Sequence, residues 1–116
     1  MDHFFQELNV KLHTEVMGND LCITISGGDR PHIGSIAIAD PRESLTGDGS
    51  TSATVSTYNF TGHKDHEVAD VIARAVASKK NCRTVVVCGL HYDSVDDELF
   101  RKVRNLTEEI ISLLTA

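Results

Sequence analysis

The sequence of 116 residues contains no tryptophan, and only 5% of its residues are aromatic. It has three cysteines, and no two of them have the CxxC spacing of redox or zinc motifs. An odd number of cysteines at such spacings provides no disulfide framework. We therefore expect Cys22, Cys82 and Cys88 to be reduced thiols that are buried as small hydrophobic side chains.

Basic residues are also scarce, since 11 Lys and Arg stand against 17 Asp and Glu, which gives a net charge of -6. This balance argues against a nucleic-acid-binding protein, because phosphate contacts need clustered cations. No apolar run approaches the roughly 20 residues that cross a membrane. The amino terminus has neither the basic region nor the apolar block of a signal peptide. We expect a cytoplasmic protein without a membrane partner.

Several catalytic motifs are missing from the sequence. It contains no serine nucleophile elbow, no GxxxxGK[ST] phosphate loop, no GxGxxG and no HExxH. The acids around the start of the last helix are typical of helix capping and of a solvated face. The sequence therefore gives no strong indication of an enzyme.

The hydrophobic pattern predicts a single domain over residues 1–116 with an α+β fold. Alternating or continuous apolar residues predict strands at 8–16, 21–25, 34–39, 51–60 and 84–88. Helical spacing predicts one helix from about Asp65 to Lys79 and a second after Ser94, its expected N-cap. The prediction is a single mixed, mostly antiparallel sheet (order β-β-β-β-α-β-α) with both helices packed on one face. The other face of the sheet is then exposed to solvent, partly covered by the chain itself or covered by a second subunit. We expect a homodimer or higher homo-oligomer.

Three junctions that combine glycine with histidine are candidates for a binding site. The first, residues 26–34, joins two predicted strands; its Gly27 and Gly28 could present N–H groups to an anion, and Arg30 adds a planar cation suited to phosphate. Pro31 stiffens the chain before His32, and Gly34 follows two residues later. Alternatively, the segment is only a tight connection in which Arg30 pairs with Asp29 or another acid.

The other two junctions adjoin the predicted helices. Gly62, His63 and Lys64 precede the first helix, whose amino terminus would attract an anion. At residues 89–93 the last strand ends in His91, Tyr92 and Asp93, where Tyr92 could stack on a planar ring and Asp93 could orient His91. Since a glycine near each histidine would let backbone approach a bulky ligand, we expect at least two of His32, His63 and His91 to line one pocket, within one chain or across a symmetric interface.

The sequences of these junctions resemble those of a known family, and the resemblance covers nearly the whole chain. GGDRPHIG at 27–34, GHKD at 62–65 and GLHYD at 89–93 are similar to the small accessory D subunit of gallate and hydroxyarylic-acid decarboxylases. This is the LpdD-like, or prenylated-flavin chaperone, family, whose members work beside UbiD-type decarboxylases that need prenylated FMN. The resemblance implies a non-catalytic accessory protein that binds or delivers prenylated FMN to a UbiD-type decarboxylase of hydroxyaromatic acids.

The resemblance also implies a set of cofactor-binding residues. It places them at Gly27, Gly28, Asp29, Arg30, Pro31, His32, Gly34, His63, Lys64, His91, Tyr92 and Asp93. We expect the phosphate near Arg30, the Gly27–Gly28 backbone and the helix after His63. The ring or its prenyl-derived portion would contact His32, His91 and Tyr92. Two alternatives stay open: a small enzyme that uses the histidines for acid–base or metal chemistry, and a structural decarboxylase subunit that binds no cofactor.

Overall fold

The computed structural model describes residues 1–60 and 66–116, with the side chain of residue 66 left aside. The described chain forms one mixed sheet of six strands and two helices. In chain order the strands are β1 (Asp2–Phe5), β2 (Val10–Met17), β3 (Asp20–Gly28), β4 (Ser35–Glu43), β5 (Thr51–Asn59) and β6 (Thr84–His91). Helix α1 (His66–Lys80) lies between β5 and β6 in the sequence, and α2 (Asp97–Leu114) follows β6.

The strands lie in the order β1-β2-β3-β6-β4-β5 across the sheet. The pair β3–β6 is parallel, and every other neighbouring pair is antiparallel. In the parallel register Gly28 lies opposite His91, so both strands end at the same edge of the sheet. This is the edge at which chain segments from two of the predicted junctions meet.

Both helices cover one face of the sheet, as the sequence predicted. The apolar side chains on this helix face alternate with outward residues, as Val10 and Leu12 do in β2 and Ile23 and Ile25 do in β3. Helix α1 packs on β4, β5 and β6, and α2 packs beside α1. Leu106, Ile110 and Leu114 of α2 join the same buried core. The opposite side, the open face, is covered by no helix among the described residues.

The predicted strand count of five was wrong by one. The additional strand, β1, pairs antiparallel with β2, and the amino group of Met1 donates to the carbonyl oxygen of Thr14 at 3.0 Å. Its four residues are too few for a periodic pattern to be recognised. Strand β2 also begins at Val10 instead of Leu8, because the chain turns at residues 6–9 and Leu8 is buried within that turn.

Two other boundaries differ from the prediction. Strand β4 continues through Pro41 to Glu43, whereas Asp40–Pro41 was expected to end it. Beyond Ala39, β4 has only β5 as a neighbour, and a proline is accommodated where one side of the strand needs no ladder hydrogen bond. The N-cap of α2 is Asp96 instead of Ser94, since the Asp96 carboxylate accepts from the N–H of Leu99 at 2.8 Å.

The open face is more polar than the helix face. Along β5, Thr54 and Ser56 expose their hydroxyl groups on this face. The cysteines are all reduced, but only Cys82 and Cys88 are buried; Cys22 is half-buried on the open face, which corrects the expectation for that residue. None of the described helices is both long and apolar enough to cross a membrane.

Candidate functional site

The connection after β3 begins with a turn that only glycine can make. Gly28 has a φ of +79°, and a Cβ at this position would lie 2.2 Å from the carbonyl oxygen of His91. That oxygen accepts hydrogen bonds from the N–H groups of Asp29, at 2.6 Å, and Arg30, at 3.4 Å. The turn therefore fastens the start of the connection to the end of β6.

The connection then crosses the open face of β6. Gly89 lies on the same face of β6 as Val85 and Val87, so a side chain there would point to the open face. A Cβ on Gly89 would lie 1.5 Å from the carbonyl oxygen of His32, which shows that backbone occupies this space. The N–H of Gly34 then donates to the carbonyl oxygen of Cys88 at 2.9 Å, just before β4 begins.

Charged side chains join the connection to the segment after β6. The carboxylate of Asp29 accepts from the N–H of Asp93 at 2.8 Å. Oδ1 of Asp93 accepts from the guanidinium of Arg30 and from Nε2 of His91, each at 3.2 Å. We call these four residues with His32 the strand-end cluster. Its arginine is exposed over 72% of the side chain, so its cation is available to a ligand from solvent.

Two of the three grouped histidines are neighbours in the structure. The ring centroids of His32 and His91 are 6.4 Å apart, with the planes nearly perpendicular. Nδ1 of His32 donates to the carbonyl oxygen of Arg30 at 3.0 Å, which fixes the orientation of the ring. The third histidine, His63, lies outside the described residues, as do Gly62, Lys64 and Asp65.

The described glycines of the predicted junctions contact the chain's own backbone, whereas the sequence suggested that they would face a ligand. The backbone N–H groups of Gly28, Asp29 and Arg30 all donate to carbonyl oxygens of the chain, so they do not form an anion-binding nest. The predicted strand ended before Gly27, but β3 includes both glycines. The glycines at 28 and 89 make room for the chain's own backbone instead of a ligand.

Tyr92 is directed away from the open face. Its hydroxyl donates to the carbonyl oxygen of Leu8 at 2.8 Å, and its half-buried ring packs against the core. These contacts explain the residue as a link between the end of β6 and the turn before β2. Pro31 is exposed in the connection.

Asn9 supports the site, although the hydrophobic pattern places it within the strand predicted at 8–16. It has a φ of +54°, its side-chain amide donates to the carbonyl oxygen of Gly28 at 2.8 Å, and its own carbonyl accepts from the Gly28 N–H at 3.0 Å. An asparagine tolerates this backbone conformation better than most residues. A glycine pair facing an asparagine across a hairpin is the signal that could have suggested the contact.

A depression lies on the open face of β1, β2 and β3. It measures about 590 Å³ and is bordered by Asp2, His3, Phe4, Lys11, Leu12, His13, Thr24 and Ser26. We call it the open-face depression. A hydrogen bond and the charge of His13 lower the pKa of Asp2 below its ordinary 3.8, which keeps that carboxylate ionised at the rim.

The depression is next to the strand-end cluster. Ser26, on its border, lies opposite Gly89 in the parallel register of β3 and β6. Neighbouring strands are about 4.8 Å apart, and the His32 carbonyl covers Gly89. The connection at residues 29–34 therefore stands as a wall beside the depression.

The chemistry of this region suits the binding of an anionic, planar molecule. An exposed guanidinium, two imidazoles and a shallow depression with apolar and polar lining lie on one side of the sheet. Within the described part of the chain no group of three His, Cys, Asp or Glu residues is placed to hold a metal ion.

A comparison with protein families gives a match over residues 5–116, to the prenylated flavin chaperone LpdD-like domain. This chain belongs to that family. The match spans essentially the whole chain and agrees with the resemblance seen in the junction motifs. No curated protein matches the sequence.

The residues of this flavin chaperone fit a phosphate-bearing flavin. Such a ligand needs a cation for its phosphate and a surface for its ring system. Arg30 offers a planar fork of donors, of which the described residues engage one, on Asp93. The depression is within the range of about 300–1,000 Å³ that is usual for small-molecule sites.

Proposed function

We propose that this chaperone binds prenylated FMN at the strand-end cluster and delivers it to a UbiD-type decarboxylase or carboxylase of hydroxyaromatic acids. In this proposal the protein is an accessory subunit without catalytic residues. Family membership supports the flavin and the type of partner. The observation that carries the assignment of the site is the exposed guanidinium of Arg30 beside His32 and His91.

Arg30 would hold the flavin phosphate. Arginine binds phosphate through two parallel N–H···O bonds, which gives both affinity and orientation. In the free protein the guanidinium rests on Asp93 at 3.2 Å, and that ion pair is exposed on both sides. Because exposed ion pairs contribute little net free energy, a phosphate dianion can replace the carboxylate at low cost.

The histidines would contact the flavin near its phosphate end. His91 donates to Asp93, and His32 donates to the backbone of its own connection, so each ring is already oriented before a ligand arrives. Preorganised side chains lower the entropic cost of binding. The chemistry supplied by the cofactor belongs to the partner enzyme, and the residues of this chain only hold and orient the molecule.

The exposure of the cluster suits delivery. His91 is exposed over 42% of its side chain and Asp93 over 55%. A ligand held at such a surface is released more readily than one enclosed in the core. The carboxylates of Asp29 and Asp93 also limit the affinity for a dianion, because like charges at hydrogen-bond distance repel.

The experiment is a titration of the purified protein with FMN, followed by flavin fluorescence. Arg30→Ala should weaken binding by about 1.5–3 kcal/mol, the range for hydrogen bonds to charged groups, which is about a 10- to 150-fold increase in Kd. The matched control is Arg104→Ala, which removes an exposed cation from α2. It should leave the Kd unchanged.

If Arg30→Ala binds FMN with the Kd of the wild type, the phosphate does not bind at the strand-end cluster. A large decrease of the melting temperature in that variant would favour the alternative in which Arg30 only stabilises the connection. A wild-type protein that binds neither FMN nor prenylated FMN would support the structural-subunit alternative.

A further inference from the structure

We infer that the open-face depression receives the isoalloxazine ring of the flavin, with Phe4 as the side chain on which the ring stacks. This inference rests on the proposed function and names a second part of the same binding surface. It adds residues of β1, β2 and β3 to a site that the junction motifs had confined to the strand ends.

Phe4 is an aromatic side chain on the open side of an edge strand. Phe5, the next residue, points to the helix face and is 9% exposed, whereas Phe4 is 54% exposed. In the register of β1 and β2, Phe4 lies opposite Lys11. An exposed phenyl ring beside a cation at the edge of a depression provides a stacking surface for a planar, electron-poor ring system.

The floor of the depression offers polar partners to such a ring. Lys11 lies opposite Ser26 in the register of β2 and β3, and His13 lies opposite Thr24. Their hydroxyl and ammonium groups can donate to the carbonyl oxygens and ring nitrogens of the pyrimidine portion of a flavin. The depression thus combines one apolar surface with a few polar groups, the usual composition of a site for a flat heterocycle.

The open-face depression and the strand-end cluster are close enough to form one binding site. The depression reaches Ser26, and the wall over Gly89 belongs to the connection that carries Arg30 and His32. A ligand that lies across this wall has its ring over β2 and β3 and its phosphate at the strand end. The flexible ribityl chain of FMN connects a ring and a phosphate in this way.

The aromatic residue of the junction motifs is on the wrong side for the ring. Tyr92 donates its hydroxyl to the carbonyl oxygen of Leu8 and packs on the core. A flavin ring could not stack on it without breaking these contacts. Phe4 fills the role that the sequence suggested for Tyr92.

The test compares FMN with riboflavin, which has the same ring and no phosphate. Both are titrated against the wild type, Phe4→Leu and Arg30→Ala, with quenching of flavin fluorescence as the readout. Phe4→Leu should weaken both ligands by about 5- to 150-fold, the range for the loss of one stacking contact. Arg30→Ala should weaken FMN alone. Phe100→Leu, at an equally exposed phenylalanine of α2, is the control and should change neither affinity.

The outcomes separate this inference from the proposed function. If the wild type binds FMN and Phe4→Leu has wild-type affinity for both flavins, the ring site is wrong while flavin binding stands. If the wild type binds neither of these flavins and no prenylated FMN either, the proposed function fails and the ring site fails with it. Should Phe4→Leu unfold, Ser26→Gln places a longer neutral side chain in the floor, and unchanged affinities in that variant would overturn the inference.

Discussion

Replacement of Gly89 by alanine tests how the sheet positions the site. The carbonyl oxygen of His32 occupies the place of a Cβ, at 1.5 Å, and the backbone N of Ile33 lies 3.2 Å from the same point. Neither atom belongs to a flexible side chain, so the neighbouring backbone must move by more than 1 Å to reach an ordinary contact of about 3.4 Å. Gly89→Ala should therefore lift the connection off β6.

The cost can be estimated from the contacts that this movement disturbs. Forcing an extra carbon into packed backbone costs about 1–3 kcal/mol. The hydrogen bond from Gly34 to the Cys88 carbonyl, 2.9 Å long, is the next contact along the chain. Its loss adds about 0.5–1.5 kcal/mol. At roughly 4 °C for each kcal/mol, the melting temperature should fall by about 6–18 °C.

Thermal unfolding and FMN titration of the variant provide the measurement. Gly18→Ala is the matched control, because Gly18 has a φ of +64° and no atom within 4 Å of an added Cβ. It should lose only the backbone cost, about 1 kcal/mol, and keep its affinity for FMN. A Gly89→Ala protein as stable as the wild type, with unchanged FMN affinity, would refute the arrangement of His32 over β6.

Two further substitutions test supporting contacts. Asn9→Gly keeps the positive φ but removes the hydrogen bond to the Gly28 carbonyl; denaturant unfolding should show a loss of about 0.5–1.5 kcal/mol, and an unchanged stability would contradict the role given to this amide. Asp96→Ala removes the N-cap of α2 and should cost about 0.5–2 kcal/mol, whereas Ser94→Ala should stay within about 0.5 kcal/mol of the wild type. Equal losses in the last two variants would speak against the assigned cap.

The sheet and helices were predictable because their apolar residues repeat over long segments. Ile23, Ile25 and Val86 follow the period of a strand, and each is buried on the helix face. The short β1 and the continuation of β4 through Pro41 were not predictable in the same way. Whether β1 forms and whether β4 can continue through Pro41 depends on the neighbouring strands. Those neighbours follow from the order of strands in the sheet.

Two of the predicted junctions are neighbours in the structure, but their geometry could not be predicted. The glycines and histidines at 26–34 and 89–93 indicated that these two segments lie together. His32 and His91 are indeed neighbours. What the glycines accommodate was not predictable, because the parallel pairing of β3 and β6 brings backbone instead of ligand against Gly28 and Gly89. The contribution of Asn9 likewise depends on a turn conformation that no periodic pattern records.

The most direct measurement is the absorbance spectrum of the protein after it has been mixed with prenylated FMN and desalted. We predict that a flavin chromophore elutes with the wild-type protein and that much less of it elutes with Arg30→Ala. Wild-type protein that elutes without flavin absorbance would contradict the claim that this chain binds the cofactor.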